Sequence, residues 1–171
     1  VEGRRRNAPG PTHRSVSPRP GPLPAGSHLS GLASACGVPV LQTRDINDAG
    51  AIQFIRDVGA DVLLCAGFDR LFKPDVLDSV RWGGINIHPS ELPEWRGPAP
   101  LVGAVHEGRR RVGVTVHGLS KGEDSGPIYG FEDFARPAMA SGDRLYRCAV
   151  TTAYPVLRRA LVELSAGRLK G

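Results

Sequence analysis

No run of apolar residues in this sequence comes near the roughly 20 that an α-helix needs to cross a bilayer, and the first residues carry no apolar segment of the signal-peptide kind. Cysteine is scarce: Cys36, Cys65 and Cys148 are scattered and form no C-x-x-C pair, which argues against a disulfide framework or a zinc site. Neither G-x-G-x-x-G nor G-x-x-x-x-G-K-[ST] occurs, so dinucleotide and triphosphate cradles have no support. His13, His28 and His106 have no carboxylates at ligand spacing, and no metal is expected. Together these absences predict a reduced, cytoplasmic chain with no membrane span.

What is abundant is positive charge and proline. Lys and Arg number 22 against 17 Asp and Glu, a formal charge of +5 over 171 residues. Such a balance invites a nucleic-acid reading. Several of the arginines, however, fall in the first twenty positions or in Arg109-Arg110-Arg111, with no aromatic residues between them, so a solvated basic surface is expected and tRNA is disfavoured as a partner. The length suits one domain with its own core. Residues 1–28 are Pro, Gly, Ser and Arg with little to bury, and they predict a disordered or loop-like leader before a folded region at 29–171.

From Leu29 onward the pattern changes. Leu29, Leu32, Ala33 and Cys36 keep helical spacing up to Gly37, and Val38-Pro39-Val40-Leu41 reads as a short strand. Asp45 to Asp48 supply caps for a helix with Ile52, Ile55 and Val58 on one side, ending at Gly59. Asp61 to Gly67 is an unbroken apolar run, the pattern of a strand buried on both faces. Pro74 opens a short helix, Gly84 to His88 is a strand, and a helix spans about 98–107. Val112 to Leu119 and a segment from Ile128 alternate as strands. A last helix, about 142–166, carries Leu145, Ala149, Ala153, Val156, Leu157, Leu161 and Leu164 on one face, with Pro155 expected to kink it. Strands alternating with helices predict an α/β fold with a doubly wound, mostly parallel sheet, in which ligands sit outside the carboxyl ends of the strands.

The most informative stretch is GINIHPSELPEWRG, residues 84–97. Its strand ends in Asn86-Ile87-His88, and Pro89, Pro93 and Gly97 stop regular structure from continuing. Side chains at i and i+2 of a strand share a face, so Asn86 and His88 can address one atom. Gly122-Glu123-Asp124-Ser125-Gly126-Pro127 adds a carboxylate in a glycine-bounded turn. An amide donor, an imidazole and a carboxylate stabilise an oxyanion and move a proton, which suits attack of an amine on a carbonyl carbon. Ser90 has no nucleophile-elbow setting and reads as a turn residue. His117 reads as a sheet histidine.

The segment Ala66 to Leu71 (AGFDRL), INIHPSELPEWRG, VGVTVH and GEDSGPI lie in the order and spacing of the folate-dependent formyltransferases, and the chain from about Leu29 onward resembles that family. The resemblance implies a catalytic set of Asn86, His88 and Asp124. It implies 10-formyltetrahydrofolate as formyl donor, held by Arg70, Leu71, Phe72, Leu77, Ser120, Lys121, Gly122 and Glu123, and a small-molecule amine such as an amino sugar or nucleotide as acceptor. The tail AYPVLRRALVELSAGRLKG is similar to glycinamide ribonucleotide formyltransferase, whereas WRGPAP is closer to methionyl-tRNA and amino-sugar formyltransferases. A methionyl-tRNA formyltransferase, a formyltetrahydrofolate hydrolase and an inactive folate-binding remnant are the alternatives. Glu91 stands where the family has a leucine. The family's first strand and helix are not spelled by residues 1–28, and an open sheet edge at Val62 to Ala66, with marginal stability or completion by another chain, is expected.

Overall fold

The computed structural model describes residues 29–139 and 141–169, so the expectation for the leader at 1–28 lies outside the described residues. The chain divides into two compact units, up to Gln42 and from Thr43. In the first, α1 (Leu29–Ala35) buries none of its side chains. It closes where Gly37, at φ +64°, lets the Val38 N–H reach the Ala33 carbonyl. The strand expected at Val38–Leu41 does not form. Val38 and Val40 are 53% and 52% exposed, Pro39 has no N–H to give a ladder, and no described strand pairs with the segment.

The second unit starts with a cap. Asp48 accepts the Ala51 N–H at 2.6 Å, and Thr43 donates to the other Asp48 oxygen, so α2 (Ala49–Asp57) begins where the Asp-rich segment predicts. It buries Ala51 and Ile55. β1 (Leu63–Ala66) follows, then α3 (Pro74–Leu77) with proline in its first turn. β2 (Gly84–His88), α4 (Pro100–His106), β3 (Arg111–Gly118), β4 (Ile128–Ala135) and α5 (Gly142–Ser165) complete it. Among the described strands the order is β1-β2-β3-β4.

The α/β class holds, and the sheet is mixed rather than mostly parallel: β1 and β2 run parallel, whereas β2–β3 and β3–β4 are antiparallel. The reason lies in the segment after His88. Thr115 of β3 donates to the Ser90 carbonyl and accepts the Leu92 N–H, which holds the proline loop beside the carboxyl end of β2. β3 therefore starts at that end and runs back. The β3–β4 pair is a hairpin, which is necessarily antiparallel.

Alternation along β2 sorts its side chains. Ile85 and Ile87 face α5, where Val114, Val116, Val156, Ala160 and Leu164 form the core with them. Asn86 and His88 take the opposite face. The other layer packs Ile55 of α2 with Val76 and Val80 around Leu63. β1 is not buried on both faces as its apolar run suggests. Leu64 is 52% exposed, because α5 lies over β3 and β4 and β1 has a described neighbour on one edge only. Pro155 stands inside α5 without ending it. Its ring lies on the exposed side, where the Thr151 carbonyl that loses a helical partner can turn to water.

Candidate active site

The carboxyl end of β2, the loop after it and the loop between β3 and β4 enclose a cavity of about 870 Å³. That is within the range of small-molecule sites. Asn86, His88, His117 and Asp124 all line it. Asn86 and His88 come from one strand face. Antiparallel register sets His117 opposite Asn86 and Thr115 opposite His88, so the sheet itself delivers both imidazoles to one side. Asp124 reaches them from the loop at φ +44°, a left-handed conformation that aspartate tolerates better than most residues.

The hydrogen bonds fix the state of each ring. His88 is 5% exposed, and its Nε2 is 2.9 Å from the Trp95 carbonyl; a carbonyl only accepts, so Nε2 carries a hydrogen. Nδ1 then faces Asp124 Oδ2 at 3.4 Å. His117 gives its Nδ1–H to the Gly118 carbonyl at 2.8 Å, which leaves Nε2 as the free ring nitrogen. Asn86 Nδ2 lies 3.2 Å from that Nε2 and donates to Asp124 Oδ1 at 3.2 Å. Asp124 thus has both oxygens engaged. Oδ1 faces Asn86 and, at 3.3 Å, His117 Nε2; Oδ2 takes the Gly97 N–H at 2.9 Å and faces His88.

Trp95 is a part that pattern reading did not single out, and Gly97 was read only as a residue that stops regular structure. Trp95 sits at φ 51°, with its indole N–H on Glu107 and Arg109 stacked 4.7 Å above its ring. This pins the carbonyl that orients His88. A side chain at Gly103 of α4 would lie 2.8 Å from the Trp95 ring, so α4 is cut away to receive the indole. Gly97, at φ +89°, turns its N–H onto Asp124. Ser90 spends its hydroxyl on the Glu94 carbonyl, as its reading as a turn residue predicts.

Of the other expected positions, Arg70, Leu71, Phe72, Ser120, Gly122 and Glu123 line the cavity, and Leu77 and Lys121 do not. Leu77 belongs to the single turn of α3, whose Val76 points into the core against Ile55. Lys121 is exposed on the loop. Among the described residues no group of His, Cys, Asp and Glu is arranged to hold a metal, and none of their helices is long and apolar enough to cross a membrane.

His117 has consequences beyond packing. Burial pushes its pKa below the ordinary 6.5, with the Gly118 carbonyl and the Asp124 charge opposing that shift in part. Because the folded ring binds its proton less readily than the unfolded one, its contribution to stability is complete above about pH 6.5 and is lost as the pH falls through the depressed value. His117→Asn is expected to flatten the dependence of Tm on pH between about 7 and 5. A thermal-unfolding series across that window checks this, and an unchanged slope would rule out a buried, neutral His117.

In this mixed α/β sheet an amide, an imidazole and a carboxylate converge where a strand leaves it, a set able to stabilise an oxyanion and move a proton. The formyl transferase family model matches residues 4–157, and the chain belongs to that family of enzymes. A methionyl-tRNA formyltransferase from Methylobacterium sp. (strain 4-46) is 35% identical over 163 residues, 95% of this chain and 50% of the relative. The chain spans about half the length of the curated relatives it matches. Glycinamide ribonucleotide transformylase 1 from Symbiobacterium toebii superposes with a TM-score of 0.70 at 26% identity, over 80% of this chain and 68% of that one. HypX from Aquifex aeolicus, solved in complex with tetrahydrofolic acid, shares the fold at 23% identity and a TM-score of 0.63, over 70% of this chain and 21% of its own.

Proposed function

We propose that the chain transfers the formyl group of 10-formyltetrahydrofolate to a primary amine, with Asn86, His88 and Asp124 as the reacting set. The observation that carries this reading is the convergence of those three side chains on one cavity wall, with Arg70, Leu71 and Phe72 and the loop at 119–127 on the same cavity. In the reaction the acceptor nitrogen attacks the formyl carbon. His88, protonated at Nδ1 and held by Asp124, meets the charge that develops on the formyl oxygen. Asn86 presents the second polar group there. Groups of this kind contribute about 10²–10⁴ each in rate.

A small amine, such as an amino sugar or nucleotide, is the first reading of the acceptor, supported by a cavity of small-molecule size. The second is methionyl-tRNA, favoured by the 35% identity to an enzyme of that name across 95% of this chain. The deciding measurement is loss of 10-formyltetrahydrofolate in the presence of amino sugars, amino nucleotides or charged initiator tRNA. Formate release without any acceptor would favour a hydrolase, and tetrahydrofolate binding without turnover would favour an inactive remnant. Activity is expected to survive a chelator, since no step uses a metal; inactivation reversed by added zinc would refute that.

A further inference from the structure

The part of the cavity wall built from Arg70, Leu71 and Phe72 has little structure of its own. Between the end of β1 at Ala66 and the first turn of α3 at Pro74 the chain forms neither helix nor strand, and Phe68 and Leu71 are 44% and 54% exposed. Phe72 anchors the segment beside Ile55, Val76 and Val80. Among the described residues, the side-chain hydrogen bonds that reach its backbone from beyond β1 both come from Asn47. Asn47 Nδ2 donates to the Leu71 carbonyl at 3.1 Å, and Asn47 Oδ1 accepts the Lys73 N–H at 2.7 Å. One amide thus holds a peptide group on each side of Phe72. Its own orientation is set in turn, because Asp45 Oδ1 accepts the Asn47 backbone N–H at 2.9 Å and the other Nδ2 hydrogen at 3.0 Å. Those bonds hold the Asp45 carboxyl below the usual carboxylate range. Exchanging the amide's oxygen and nitrogen would set like groups against each other at Leu71, Lys73 and Asp45 alike.

We propose that Asn47 is a positioning residue for the formyl donor, holding Leu71, Phe72 and Lys73 in the one shape that the donor meets. This rests on the formyl-transfer reading above, which sets the donor against that segment. Asn47 is not on the cavity wall, so it acts through the backbone groups it holds. It stands just ahead of α2, and the Lys73 carbonyl accepts the Val76 and Leu77 N–H groups, so the amide links the entry of α2 to the entry of α3. The two helices pack without it. Ile55 of α2 meets Val76 of α3 in the core, whereas Asn47 is half-buried, and its loss frees the segment more than it loosens the fold. A freed segment samples several conformations. A donor that fits one of them then binds more weakly in proportion to the time that one is present. Among the described residues none of Asn86, His88 and Asp124 bonds to Asn47, so the reacting groups stay in place.

The test measures tetrahydrofolate affinity, Tm and amide hydrogen exchange on the full chain. Asn47→Ala is expected to raise the Kd for tetrahydrofolate about tenfold and to speed exchange at the Lys73 amide, while the β2 and β3 amides keep the parent's protection. Asp48→Ala is the comparison. It removes the neighbouring cap of α2 and touches neither bond to the segment, so it should lower Tm at least as much as Asn47→Ala and leave tetrahydrofolate affinity within about twofold. Asn47→Asp still accepts the Lys73 N–H but sets an oxygen against the Leu71 carbonyl and the Asp45 carboxylate, and it should weaken tetrahydrofolate at least as much as alanine does. Parental affinity in either Asn47 variant, or an equal loss of affinity in Asp48→Ala, would overturn the positioning role. So would an Asn47→Ala chain with no cooperative unfolding transition, which would make the amide a prop of the whole fold. A parent chain that does not bind tetrahydrofolate would overturn the formyl-transfer reading, and this inference with it.

Discussion

Asp124→Asn is expected to slow formyl transfer by at least about 10²-fold while tetrahydrofolate affinity stays within about tenfold. The carboxylate is the one group in the site that touches all the others. Gly97 N–H and Asn86 Nδ2 point hydrogens at its two oxygens, and His88 and His117 approach within 3.4 and 3.3 Å. An amide in its place can accept on one side only. Turned to satisfy Gly97, it sets its NH₂ against the NH₂ of Asn86; turned the other way, it sets it against the Gly97 N–H. In either orientation the negative charge beside His88 is gone, and with it the reason for the ring to hold a second proton as charge builds on the substrate. Steady-state kinetics with a tetrahydrofolate-binding control separates this from misfolding. Near-normal turnover would remove Asp124 from the reacting set.

The second large effect is expected at a residue with no side chain of its own. Gly126→Ala should destabilise the fold by about 3 kcal/mol, as overpacking against an immovable neighbour does. A β-carbon there would overlap the Gly118 carbonyl oxygen and lie 2.7 Å from its carbon. That neighbour is backbone, and it is held: the Gly118 N–H bonds to the Pro127 carbonyl, and the next residue, Leu119, bonds to Gly84 of β2. Relief comes only by opening the neck of the loop that carries Asp124, so lost stability and lost turnover should appear together. Gly31→Ala in α1 is the contrast. No atom lies within 4 Å of its β-carbon, and removing a flexible residue from a helix should be neutral or stabilising by up to about 1 kcal/mol. Thermal unfolding of the two variants compares them directly, and a Gly126→Ala protein as stable as the parent would contradict the close approach.

The parts of this molecule that were legible in the sequence are those whose cause is local. Asp48 caps α2 because a carboxylate three residues ahead of a free N–H reaches it. Pro74 opens α3 because the missing hydrogen costs nothing there. Asn86 and His88 share a face because strand side chains alternate. The role of His117 was not legible, since it depends on which strand pairs with β2 and in which register, and the spacing of Thr115 and His117 fits a plain sheet histidine equally well. The hydrophobicity of Val38–Leu41 misled because apolar residues favour a strand only where a ladder partner is present. The exposure of Leu64 could not be read from its neighbours in the chain, because it is set by how far α5 extends over the sheet. Direction within the sheet was hidden too. The loop at 89–99 keeps the chain at the carboxyl end of β2 through the contacts of Thr115 with Ser90 and Leu92, residues more than twenty positions away.

The bond from the Gly97 amide to Asp124 also makes the site observable without any substrate. The amide belongs to the loop after β2 and the carboxylate to the loop after β3, so the bond exists only while the two are docked. The hydrogen-exchange rate of that single amide therefore counts how often the carboxylate lets go, as distinct from how often the whole unit unfolds. Protection equal to that of the β2 and β3 amides would describe a rigid, preassembled site. Faster exchange at Gly97 alone would describe loops that come together and part on their own clock, and would set an upper limit on the fraction of molecules ready to react at any moment.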